Sequence, residues 1–83
     1  MEKTFKEVVE GLGNKSYSRV ELRQKMMFNG KVQDVLIGLF AYDGMAGRII
    51  PVDGDTYSMN MPCEQWKEYK SDKGLCLCVY TSE

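Results

Sequence analysis

Eighty-three residues, 43% hydrophobic and 28% charged, suffice for one small domain with a thin core, because a chain this short buries only about 60% of the surface it exposes when unfolded. The mixture is too apolar for a disordered chain and too varied for a coiled coil or collagen. No apolar run approaches the roughly 18 residues of a membrane-spanning helix, and Met1-Glu2-Lys3-Thr4 opens without the apolar stretch of a secretory signal.

Eleven basic and twelve acidic residues nearly cancel, but they are unevenly placed. Residues 1–31 carry seven basic and four acidic groups, net +3, and residues 32–83 carry four and eight, net −4. In so small a domain the two halves interleave, and a mixed solvated surface accounts for the asymmetry. Three cysteines, Cys63, Cys76 and Cys78, are an odd number without a secretory signal. That argues against a disulfide framework and for a reducing, cytoplasmic setting. The spacing of Cys76 and Cys78 puts both on one face of a strand. They read as small buried apolar residues.

Taken in chain order, Thr4-Phe5-Lys6-Glu7 fits a capping box. Phe5, Val8, Val9 and Leu12 then recur at helical spacing, which predicts an amphipathic helix over 4–12, ended by Gly11, Gly13 and Asn14. A helix of that length does not stand alone in water, so its apolar face needs a support. From Val20 the pattern turns to period two, with Val20, Leu22, Gln24, Met26 and Phe28 on one face. A second capping box, Ser18 to Glu21, offers a helix here instead, but helical spacing would put Arg23 and Gln24 on its apolar side.

Asn29-Gly30 is the strongest short hairpin signal, because a type I′ turn needs positive φ at both central residues. The return strand Val32–Tyr42 is apolar on both faces over Val35–Ala41, as a central strand would be, and Gly38 within it marks a bulge or bend. Asp43-Gly44 turns into a short strand, Gly47–Val52, which Pro51 confines to an edge or strand end. Asp53-Gly54 turns into Thr56–Met61. Pro62-Cys63-Glu64-Gln65 has the look of a helix start, yet the hairpin loop Ser71–Gly74 before the strand Leu75–Tyr80 requires a strand ahead of it. Gln65–Tyr69 is therefore read as strand.

Four turn signals thus separate five strands with short connections, which favours antiparallel pairing. The expected fold is α+β: one domain, with a short N-terminal helix packed on a strongly bent five-stranded antiparallel meander or small barrel over 18–81.

Several chemistries are excluded. The chain has no histidine, and with it go the commonest general base, the Ser-His and Cys-His pairs and the commonest zinc ligand. Cys-x-Cys is tighter than zinc-site spacing, and Asp53-Gly54-Asp55 lacks the rest of a calcium loop. No glycine-rich phosphate loop occurs. Neither a cofactor nor a catalytic constellation is expected, and the chain reads as a non-enzyme.

Two binding surfaces remain. Arg19, Arg23, Lys25 and Lys31 gather on and beside the first hairpin, a candidate surface for single-stranded nucleic acid or a signalling nucleotide on a small barrel. The acidic balance and the intervening Glu21 weigh against it. The stronger candidate is a protein contact. Tyr57, Trp66, Tyr69 and Tyr80 crowd into the last 27 residues, and six methionines, among them Met27, Met45 and Met59, add adaptable apolar surface.

The segment from Tyr42-Asp43-Gly44 through Gly47-Arg48-Ile49-Ile50-Pro51-Val52-Asp53-Gly54-Asp55-Thr56-Tyr57-Ser58 resembles small uncharacterised proteins of phages and mobile elements of Firmicutes. The resemblance implies an accessory that binds and blocks a host protein, such as a component of a CRISPR-type immune system, inside the bacterial cell. It transfers no site. The expected contact residues, read from the turns and the aromatics, are Tyr42, Asp43, Arg48, Asp53, Asp55, Tyr57 and Trp66. A homodimer through the Leu75–Tyr80 strand or its neighbour is expected as well. One short helix covers only one side of a sheet whose Val32–Tyr42 and Leu75–Tyr80 strands are apolar on both faces, so either the sheet curls closed or the second face packs on another subunit. An open sheet also leaves edge amides unpaired.

Overall fold

The computed structural model describes residues 3–13, 15–53 and 60–81. Among them a two-residue strand, β1 (Lys3–Thr4), leads into helix α1 (Phe5–Glu10), followed by β2 (Tyr17–Phe28), β3 (Lys31–Asp43), β4 (Arg48–Asp53), β5 (Pro62–Ser71) and β6 (Gly74–Thr81). The strands form one curled sheet, a half-barrel, in the order β1-β5-β6-β2-β3-β4. The expected helix is present but shorter, Phe5–Glu10 rather than 4–12. Its capping box forms as read: Thr4 Oγ1 accepts from the Glu7 amide at 3.2 Å, and Glu7 Oε1 accepts from the Thr4 amide at 3.0 Å. Gly11 closes it by donating its amide to the Glu7 carbonyl.

Turn chemistry decides the hairpins. Asn29 and Gly30 have φ of 50° and 77°, the two positive values a type I′ turn demands. Asp43 caps the next turn, its Oδ1 accepting from the amides of Met45 and Ala46. Ser71 pairs with Gly74 at φ 117° across the last turn. The register of β2 against β3 slips opposite Gly38, where Leu22 faces Gly38 and Arg23 faces Leu36, so a bulge sits where the glycine suggested one. Pro51 lies on β4, at the sheet edge. Residues 62–71 are strand, so the helical option at Pro62 is not taken. The Thr56–Met61 strand and the turn at Gly54 fall mostly on residues outside the described ones.

Two expectations are corrected. Among the described residues six strands are present rather than five, and the sheet is mixed: β2 and β6 run parallel, with Arg19 opposite Cys76 and Arg23 opposite Tyr80. Short turns force antiparallel pairing only between strands they join, here β2–β3, β3–β4 and β5–β6. Between β2 and β6 lies most of the chain, and nothing fixes their relative direction except which faces they bury. As a second consequence Leu75–Tyr80 lies inside the sheet, paired on both sides, and offers no free edge to a second copy.

The core fills the face beneath α1. Phe5, Val8 and Val9 of the helix pack on Val20 and Leu22 of β2, Phe40 and Tyr42 of β3, Cys63 of β5, and Leu77 and Val79 of β6. The rings of Phe5 and Phe40 meet at 4.9 Å. Phe40→Ala is expected to lower stability by about 3–5 kcal/mol, because a fully buried ring is removed from a thin core. Met45→Ala, at a side chain 93% exposed, is expected to stay within about 0.5 kcal/mol of the parent. Urea unfolding followed by the fluorescence of Trp66 measures both.

Candidate functional site

Strand alternation turns Arg19, Glu21, Arg23 and Lys25 of β2 away from the helix, onto the face that also carries Cys76, Cys78 and Tyr80 of β6. Among the described residues no helix covers this outer face, yet Glu21 is only 4% exposed. Its carboxylate is enclosed by long side chains. Arg23 reaches it through Nε at 2.8 Å and through Nη2, Arg19 Nε stands at 3.3 Å, and the Tyr69 hydroxyl donates to Oε2. Burial alone would raise the Glu21 pKa, but the hydrogen bonds from Tyr69 and Arg23 and the two guanidinium charges outweigh it. The group is held below the ordinary carboxylate value. The same bond pushes the Tyr69 phenol up to about 12, with burial adding to it.

The network continues outward. Arg23 Nη1 lies 3.4 Å from Asp34 Oδ1, and the Tyr80 hydroxyl donates to Asp34 Oδ2 at 2.7 Å. That bond, first among several causes, raises the Tyr80 pKa. Lys25 Nζ sits over the Tyr80 ring, 5.1 Å from its centroid. Beside it opens a groove of about 440 Å³ lined by Lys25, Glu64, Gln65, Trp66, Lys67 and Tyr80. The three cysteines are buried: Cys63 packs in the core, while Cys76 and Cys78 lie on the opposite face.

Beyond this network β2 and β3 outrun their neighbours. β6 accompanies β2 only as far as Arg23 opposite Tyr80, and β4 joins β3 only from Leu39 onward. Among the described residues, 24–28 and 31–35 pair with each other alone and form a two-stranded arm, with Leu36 at its base opposite Arg23. Large apolar side chains on it are open to water: Met27 is 68% and Val32 64% exposed, with Met26, Phe28 and Leu36 also exposed. Met27 lies opposite Val32, so these two sit side by side on the outer face.

The expected site residues scatter. Tyr42 is in the core, its ring 6.4 Å from that of Tyr17, so it is no surface contact. Asp43 serves its own turn, Arg48 begins β4 and Asp53 ends it. The Asp43–Arg48 turn is at the far end of β3 from the arm. Trp66, 41% exposed on β5, borders the groove. Asp55 and Tyr57 lie outside the described residues. Of the basic row, Arg19 and Arg23 are engaged by Glu21 and Asp34. Lys31 pairs with Phe28, which places it on the other face of the arm from Lys25. The row is therefore broken. What the sequence reading missed is the cluster at the arm tip, although its signal was present: Met26-Met27-Phe28 is apolar on both faces just before Asn-Gly, where a core strand would have ended.

Glu21→Gln is expected to lower stability at neutral pH by about 1–3 kcal/mol, because a buried charge partner of two arginines is lost. Because the folded pKa of Glu21 is depressed, its contribution is present above the unfolded value of about 4.5 and fades as pH falls through the folded value. Acid titrations of the melting temperature must then fall less steeply below pH 4.5 in the variant than in the parent. Compared with protein-family models, with curated proteins and with solved structures, the chain matches none.

Proposed function

We propose that this protein is a non-enzymatic binding protein that engages a partner protein through the arm formed by β2 and β3. One observation carries the reading: four large apolar side chains, Met26, Met27, Phe28 and Val32, stand exposed on a hairpin that no other described element supports, with Leu36 exposed at its base. A two-stranded ribbon is only marginally stable in water. A clustered apolar surface on such a ribbon has a reason to persist if it is covered in a complex. Methionine and phenylalanine suit that use, since one is adaptable and the other supplies a large contact area.

The narrower form of the proposal, drawn from the resemblance of segment 42–58, makes the partner a host protein that a phage or mobile-element accessory occupies and blocks. The nucleic-acid alternative has less support, because Arg19 and Arg23 already have carboxylate partners.

The test is affinity capture from bacterial lysate with the parent and with a Met27→Ser, Phe28→Ser, Val32→Ser variant. All three positions are exposed, so the fold is expected to survive, and circular dichroism checks it. The parent is expected to retain a partner that the variant loses at least about tenfold, whereas Met45→Ser at the far end of β3 retains it. Equal capture by parent and arm variant, or no partner at all, overturns the reading.

A further inference from the structure

We propose that Tyr80 is a positioning residue for the arm: by holding the Asp34 carboxylate it latches the β2–β3 ribbon to β6 and fixes the direction in which the apolar tip points. This rests on the reading of the arm as the docking surface and names what presents it. A two-stranded ribbon is only marginally stable by itself, so backbone pairing alone holds its direction weakly. At the base of the arm the register of β2 against β3 slips between Leu22 and Arg23. A bulge bends and twists the strands it interrupts, so the ribbon leaves the sheet where regular pairing does not set its path. Side chains have to hold it.

Lys25 and Asp34 lie directly opposite each other across the arm, a placement that favours pairing of opposite charges. Among the described residues no ion pair joins them. Both turn instead toward Tyr80 on β6. Asp34 Oδ2 accepts from the Tyr80 hydroxyl at 2.7 Å, and Lys25 Nζ lies 5.1 Å from the centre of the ring. The second oxygen, Asp34 Oδ1, is 3.4 Å from Nη1 of Arg23, whose other nitrogens hold the buried Glu21 carboxylate. Asp34 is thus tied to β6 on one side and to the buried Glu21 network on the other. Among the described residues, every side-chain hydrogen bond, ion pair or cation–ring contact between the arm and the sheet ends on Tyr80 or Arg23. Arg23 is the first β2 residue below the arm and moves with it, whereas Tyr80 belongs to a different strand. The bond from Tyr80 is therefore the one that fixes direction.

Amide hydrogen exchange of the full chain reads the latch. Tyr80→Phe keeps the ring and the lysine above it and removes only the hydroxyl. It is expected to speed exchange of protected amides within 24–28 and 31–35 about fivefold, the worth of one charge-assisted hydrogen bond discounted for its exposure. Amides of Val20, Leu22, Leu77 and Val79 in the core are expected to keep their rates, because only the arm opens. Asp34→Ala is expected to loosen the arm at least as much, and the double variant no more than Asp34→Ala alone, since both remove one interaction. Asp34→Asn, which still offers Tyr80 an oxygen, is expected to restore most of the protection. Tyr17→Phe removes a phenol hydroxyl that serves Glu68 instead, and is expected to leave the arm no faster relative to the core.

In lysate capture Tyr80→Phe is expected to retain the partner about fivefold less than the parent, since a loose arm has to be ordered on binding. Unchanged arm exchange in Tyr80→Phe or Asp34→Ala overturns the proposal. So does faster exchange throughout the sheet, which makes Tyr80 an ordinary contributor to stability, and so do additive effects in the double variant. Unchanged capture beside a loosened arm overturns it too, because the direction of the arm then has no part in docking. The docking reading fails by a separate result, capture that survives the serine changes at the tip, and that result leaves the exchange rates to decide the latch.

Discussion

One short helix can lid only one face of a sheet, and the rest of this molecule is arranged around that constraint. Phe5, Val8 and Val9 are the whole buried surface of α1, and they meet Val20, Leu22, Phe40 and Val79 in a single layer. The opposite face has to keep water off the same strands without a second layer. It does so with side chains laid over it. Small residues, Cys76 and Cys78, line the floor, and Arg19, Arg23, Tyr69 and Tyr80 extend over it. Long polar side chains can cover apolar surface in this way while their charged ends remain near solvent.

The buried Glu21 carboxylate follows from that arrangement. Two guanidinium groups held flat on a sheet need an anion between them, and the tyrosine hydroxyl completes its coordination. Every buried side-chain nitrogen and oxygen among the described residues has a hydrogen-bond partner, so the polar layer closes as completely as the apolar one. Two arginines are committed to structure by this network. The lysines at its border are not, and they line the groove beside the arm.

The arm itself arises from unequal strand lengths. β2 and β3 have 12 and 13 residues, while β6 has eight and β4 six. Among the described residues the sheet is therefore five strands wide near Val20 and only two at Phe28. Where the layer thins, apolar side chains that would be interior in a wider sheet face water instead. The same geometry leaves an exposed apolar cluster at the end of the molecule where the groove lies.

Much of the fold was legible in local chemistry. The capping box at Thr4 and Glu7, the Asn29-Gly30 turn, the bulge at Gly38 and the edge position of Pro51 each follow from what a few adjacent residues permit the backbone to do. Period two in β2 likewise told which residues turn inward, and the Met26-Met27-Phe28 run carried a readable break in that pattern. What neighbours in sequence do not determine is which distant strands meet. The parallel pairing of β2 with β6 brought Glu21, opposite Cys78, within reach of Tyr69 and turned a nominal interruption of a basic row into its buried centre. Tyr42 went to the core because β3 packs under the helix. Turn and cap energies act over a few residues, so the sequence states them directly. Strand order is settled by the burial of whole faces, a quantity that exists only once the chain has come together.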